Sequence, residues 1–132
     1  MSAANYALFT IPAYLVIAMF PHAYSVWLIT TNNNNKWDLQ SPRSTNNRSK
    51  TEASVPKHIY RRFERCRSAH ENMLENMAFV VGGILSGVVT RLDAEWMNLM
   101  CGLYLVSRIL YTISYVSIAS AKWAPMRTAW YL

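Results

Sequence analysis

Charged residues are scarce in this chain, 15% of 132, with seven acids against thirteen Lys and Arg, and glycine occurs only four times. With 52% hydrophobic residues it is too apolar for an ordinary soluble domain of this size. Two cysteines are weak material for a disulfide framework, so Cys66 and Cys101 are expected as free thiols. Arg65 and Arg67 beside Cys66 would favour a reactive thiolate, but Cys66 lies off the polar side of its helix, and a packed, inert thiol is expected. The net charge of +6 suggests a polyanionic partner, yet no nucleic-acid-binding fold or motif accompanies it.

The charge is segregated. Nine of the thirteen basic residues (Lys36, Arg43, Arg48, Lys50, Lys57, Arg61, Arg62, Arg65 and Arg67) fall between a first apolar block and a second. That clustering reads as a membrane topology signal with residues 32–64 on the cytosolic side. The first block, about 6–30, is long enough to cross a hydrocarbon core of about 30 Å. It has no basic start and no small-residue cleavage site, so it is read as a retained span rather than a signal peptide. Pro12 and Pro21 are expected to bend it, and His22 is expected to be a hydrogen-bonded structural residue. Residues 32–57 lack periodicity and are rich in Asn, Ser and Lys. They are read as a solvated, flexible cytosolic loop.

The chain is organised around Glu64 to Gly87, where a polar helix start runs without proline into an apolar segment. On a wheel of about 100° per residue, Arg61, Arg65, Ser68, Asn72, Glu75 and Asn76 share one face, with Arg67 and His70 on the far side. A carboxylate such as Glu75 at the lip of a membrane segment is costly unless it faces protein or water, and so it marks a site. This second span, about 70–90, ends in the polar turn Arg91-Leu92-Asp93-Ala94-Glu95. The third, about 96–121, carries Tyr104, Arg108, Tyr111 and Tyr115 on one helical face. A cation in mid-span needs a partner. If the second and third spans fold back about residue 93, Glu75 and Arg108 differ by three residues in depth, about 4.5 Å along the axis. A Glu75–Arg108 ion pair is therefore expected, as part of a site or as a structural link between helices. Pro125 suits the first turn of a further helix, a stub over 125–132.

Three ordered motifs carry a resemblance. F-E-R-C-R-S-A-H-E-N-M-L-E-N in the second span, R-I-L-Y-T-I-S-Y in the third and A-P-M-R-T-A-W-Y at the end resemble the membrane-associated proteins in eicosanoid and glutathione metabolism (MAPEG). The glutathione transferase and prostaglandin E synthase branches are the most similar. The resemblance spans nearly the whole chain except the Asn-rich loop. It implies an all-α integral membrane protein of the endoplasmic reticulum, with three spans and the start of a fourth, a luminal N-terminus and assembly as a homotrimer. It also implies glutathione bound between subunits near the cytosolic face, for transfer or isomerisation on a lipophilic substrate. Carried over by motif, Asn72 and Glu75 hold the glutathione backbone, Arg108, Tyr111 and Tyr115 line the cleft, and Tyr131 matches a further cleft position. Arg127 and Thr128 sit by the sulfur. Arg127, Tyr115 and Glu75 are the expected catalytic residues.

Four positions depart from the family pattern. Ser68 replaces a usual arginine, Glu71 a basic residue, Met73 a carboxylate and Ala78 a common proline. These substitutions favour two rival readings, a glutathione-independent isomerase or cyclase of a lipophilic metabolite and a non-catalytic lipid-binding protein. A purely structural membrane subunit is a third. The topology has a direct test. The sequon Asn47-Arg48-Ser49 should stay unmodified when the chain is made in microsomes, and glycosylation of Asn47 would place residues 32–64 on the wrong side.

Overall fold

A computed structural model of the protein describes residues 4–34, 36 and 44–117. A short 3₁₀ turn, Ala7–Phe9, leads into α1 (Thr10–Asn32); α2 (Thr45–Ser54), α3 (Lys57–Val89) and α4 (Ala94–Ser117) follow. No strand occurs among the described residues. Three helical segments are long and apolar enough to cross a membrane: 7–32, 57–89 and 94–117. The protein is thus an all-helical membrane protein with three candidate spans. The stub over 125–132 and the end of the third span, 118–121, lie outside the described residues.

The expected bends resolve differently at the two prolines. Pro12 is the third residue of α1, where no preceding turn of that helix offers a carbonyl to lose, so it fits the helix start. Pro21 lies inside α1 and cannot donate to the carbonyl four residues back. In the turn that it loosens, the Ala18 carbonyl accepts a hydrogen bond from His70 Nδ1 at 2.8 Å. A carbonyl only accepts, so Nδ1 carries the proton. His22 faces His70 from α1, with ring centroids 4.9 Å apart.

The buried residues of α1 recur every three or four positions (Thr10, Tyr14, Ala18, Pro21, Ser25, Leu28), giving one stripe that packs along α3. Small residues let the backbones approach, as Ala18 and Ala69 do, both fully buried. The central cluster comprises Tyr14, Ala18, Ala69, Met73 and Tyr111, drawn from all three spans. Tyr14 Oη donates to the Met73 carbonyl at 2.8 Å, joining α1 to α3 in the middle of this cluster.

The α3–α4 turn is tightly specified. Leu92 N–H donates to the Gly87 carbonyl and Arg91 N–H to that of Val88, with Arg91 left-handed at φ 55°. Asp93 then caps α4 through the Trp96 N–H. Gly87 lets the Met97 side chain pack close to α3: a Cβ there would lie 2.6 Å from Met97 Sδ, so the thioether end would have to move. At the same end the Asn98 side chain accepts from Tyr6 N–H and donates to the Ala4 carbonyl, both at 2.8 Å. The chain start and the α3–α4 turn therefore share one end of the bundle, and α2 lies at the other.

One expectation is corrected. Residues 45–54, read as flexible loop, form α2, capped by Ser44 Oγ accepting from Asn47 N–H at 3.1 Å. Its inward residues are Asn47, Thr51 and the following Val55. Two of these three are polar, so the spacing of four left no hydrophobic period to read. Val55 joins Leu28, Ile29, Tyr60 and Phe63 in a second cluster beneath α2. The exposed Arg48–Glu64 bridge adds at most about 1 kcal/mol to that docking.

The Tyr14 bond gives a test of how the spans are held. Tyr14→Phe should lower stability by about 1 kcal/mol, the net worth of one hydrogen bond. Gly83→Ala, where an added methyl meets nothing within 4 Å in the protomer and the helix interior favours Ala over Gly, should not lower it. Thermal unfolding in detergent would compare the two.

Candidate functional site

α4 presents Tyr104, Arg108, Tyr111 and Tyr115 together, as their spacing requires. Arg108 is 5% exposed, and Tyr111 2%. The guanidinium carbon lies 4.8 Å from the Tyr104 ring centroid and 5.7 Å from that of Tyr111. Tyr111 and Tyr115 pack at 5.4 Å, and Tyr14 of α1 stacks on Tyr104 at 5.9 Å. Sequence reasoning missed Tyr14, whose stripe on α1 looked like any apolar face. Four tyrosines thus surround one cation or extend its surroundings. Nε and Nη1 of Arg108 have no hydrogen-bond partner among the described residues.

The expected Glu75–Arg108 pair does not form within a protomer. Among the described residues the ion pairs are Arg48–Glu64 and Arg67–Glu71. The reason is angular. Met73 is the α3 residue turned toward α4, with Thr112 Oγ1 3.4 Å from its sulfur. Glu75 follows two residues later, about 200° around the helix, and it is exposed. Matching depth along the axis was not enough, because the two side chains leave their helices in different directions.

The polar face of α3 is nevertheless continuous. Arg65 Nε donates to the Val116 carbonyl of α4 at 3.3 Å, and Asn76 Nδ2 to the Asn72 carbonyl at 2.9 Å. Asn72, Glu75 and Asn76 lie at the protomer's outer face, half-buried or exposed, and a polar seam there is not matched to lipid tails. The replacements in this helix take on specific surroundings. Glu71 is bridged to Arg67 at 2.9 Å, so its charge is countered one turn away. Ser68 is exposed, and Met73 is fully buried in the central cluster. Cys66 is also fully buried, as a packed thiol. Arg127, Thr128 and Tyr131 lie outside the described residues. No group of three or more metal-ligating side chains occurs among the described residues.

A bundle of membrane-spanning helices with a tyrosine-lined buried arginine and an outward Asn/Glu seam defines the class of protein. The family follows from comparison. The MAPEG family model matches residues 6–132, and the chain belongs to that family. Its members include transferases and isomerases. No curated protein and no solved structure matches the chain.

Arg108 yields a prediction whose sign is informative. A guanidinium buried without a counter-ion carries a penalty of several kcal/mol, more than the roughly 2 kcal/mol that desolvated cation–π contacts return. Arg108→Met should therefore unfold, without ligand, at a temperature no lower than the wild type. A loss of about 3–5 kcal/mol instead would mean that assembly supplies a carboxylate to Arg108.

Proposed function

We propose that the protein is a membrane-bound, glutathione-dependent transferase or isomerase acting on a lipophilic electrophile, working as a homotrimer whose clefts lie between subunits. The observation that carries this reading is Arg108, whose buried Nε and Nη1 lack acceptors among the described residues. Such a group in a membrane bundle calls for an anion, and a carboxylate of glutathione is one. Glu75 is a group of opposite charge at nearly the same depth but on the outer face, suited to accept from an ammonium group. A zwitterionic ligand set between the Glu75 face of one subunit and the Arg108 face of another would answer both charges. Family membership supports the same ligand. The Arg67–Glu71 bridge removes one objection, since Glu71 does not present a free negative charge.

When bound, glutathione supplies a thiolate nucleophile. A free thiol of pKa about 8.5 is only a few per cent ionised at pH 7, and a nearby cation lowers such a pKa by about one to three units. Arg127, assigned by its motif, is the cation proposed for that task, with Thr128 beside it and Tyr131 on the cleft wall. Asn72 and Glu75 would position the tripeptide backbone. Tyr111 and Tyr115 would close the cleft around Arg108 and exclude water from its charge. The Tyr115 hydroxyl can donate to an oxygen that gains charge during epoxide or peroxide opening.

Purified protein in mild detergent should bind glutathione by equilibrium dialysis and run as a particle of three chains by light scattering. Arg127→Ala should keep binding and assembly but lower conjugation of a lipophilic aryl halide by about two to three orders of magnitude, the scale of losing one electrostatic stabiliser. Wild-type turnover in that variant would remove Arg127 from the chemistry. No binding by the wild type would instead favour a glutathione-independent or lipid-binding role.

A further inference from the structure

A second feature lies on the flank of α4 next to the tyrosine-lined arginine. An open groove of about 760 Å³ runs between α1 and α4 toward the end of the bundle where α2 lies. This is within the roughly 300–1,000 Å³ of ordinary ligand clefts. Its walls are apolar, including Val16, Phe20, Ile109 and Ile113. Val16, Phe20 and Ile113 are largely exposed in the protomer, at 71%, 67% and 57%.

One charged side chain lines it. Arg62 projects from α3 with its guanidinium carbon 5.5 Å from the Tyr24 ring centroid, and Tyr24 lines the groove too. The stack fixes the plane of the guanidinium and leaves its edge N–H groups for an acceptor. Arg62 makes no hydrogen bond or ion pair to another described residue. Arg65 reaches the same end, bonded to the carbonyl of Val116, itself a groove residue. The groove is therefore apolar along its length and cationic at its end.

We propose that this groove is a binding site for an anionic membrane phospholipid, with an acyl chain along α1 and α4 and the headgroup phosphate on Arg62. Charge complementarity and placement select this occupant. The cationic end coincides with the basic segment 36–67, which would lie at the headgroup level of the bilayer, where each Lys or Arg contributes about 1 kcal/mol of attraction to anionic lipid. A planar guanidinium fits a phosphate with paired N–H donors. Residues 118–132 carry Lys122 and Arg127 and no acidic side chain, so their side chains bring no countercharge for Arg62. Phosphatidylcholine carries the same phosphate, but its choline cation cancels the net charge and with it the attraction to the basic end of the groove.

The full-length protein, purified in mild detergent, would be titrated with phosphatidylglycerol and with phosphatidylcholine and read by native mass spectrometry. Phosphatidylglycerol should bind more tightly by about fivefold or more, the effect of one basic residue at an anionic surface. Arg62→Gln should abolish the preference, Arg62→Lys should keep most of it, and Lys50→Gln, on α2 outside the groove, should cost less of it than Arg62→Gln. Equal binding of the two lipids, or a preference that survives Arg62→Gln, overturns the proposal. A photoreactive phenylalanine analogue at Ile113 identifies the occupant in the intact chain. Capture of phospholipid supports the site; capture of residues 118–132 or of a second copy overturns it, as does displacement of the lipid by a free fatty acid at equal concentration.

Discussion

A guanidinium in mid-bundle is the constraint around which the other helices are arranged. Arg108 is buried from water, and among the described residues no acid reaches it; the helix faces turned toward it are aromatic. Tyr104 and Tyr111 come from its own helix at spacings of four and three, and Tyr14 brings α1 into the same stack through Tyr104. Tyr14 in turn donates to the Met73 carbonyl, and Met73 meets Thr112. One connected set of contacts thus runs from α1 to α3 to α4 around the cation. These contacts return part of the desolvation cost and leave Nε and Nη1 without an acceptor among the described residues.

How far this was legible in the sequence depends on what a helical wheel can carry. The three spans, the turn near residue 93 and the shared face of Tyr104, Arg108, Tyr111 and Tyr115 follow from length, composition and a period of 3.6. The Glu75–Arg108 contact did not follow, because counting residues from a turn fixes depth and leaves rotation free. Rotation of α3 is set by which residues pack, and the choice of Met73 over Glu75 rests on Ala69 and Cys66, small side chains whose inward position the polar seam obscured. α2 was missed for a related reason. Its contact positions, Asn47 and Thr51, are polar, so a pattern search for apolar residues passes over a helix that is nonetheless anchored by Val55 and capped by Ser44.

The departures in the second helix also change meaning once their neighbours are known. Glu71 looked like an acid added to a site for an acidic ligand; bridged to Arg67, it is half of a local pair on the far side from Asn72. Met73 looked like a lost carboxylate, but a carboxylate there would be buried against Thr112 and Tyr14 in the central cluster. The substitution removes a charge from the one α3 position that this packing cannot solvate.

The two ends of the bundle are built differently, and that difference bears on where chemistry can occur. At the end with the α3–α4 turn, Asn98 ties the chain start to α4, Asp93 caps α4, and Leu92 and Arg91 close α3. At the other end α3 continues for several turns beyond the central cluster as a strongly basic helix, touching α4 through one Arg65–Val116 bond and covered on one side by α2. Helices pinned by hydrogen bonds at one end and by fewer contacts at the other can part most easily where the contacts are few. That is the end nearest Asn72, Glu75 and Tyr115. The contacts that hold the cation belong to the α1, α3 and α4 core rather than to the basic rim, so the stack on Arg108 does not depend on how the rim is packed.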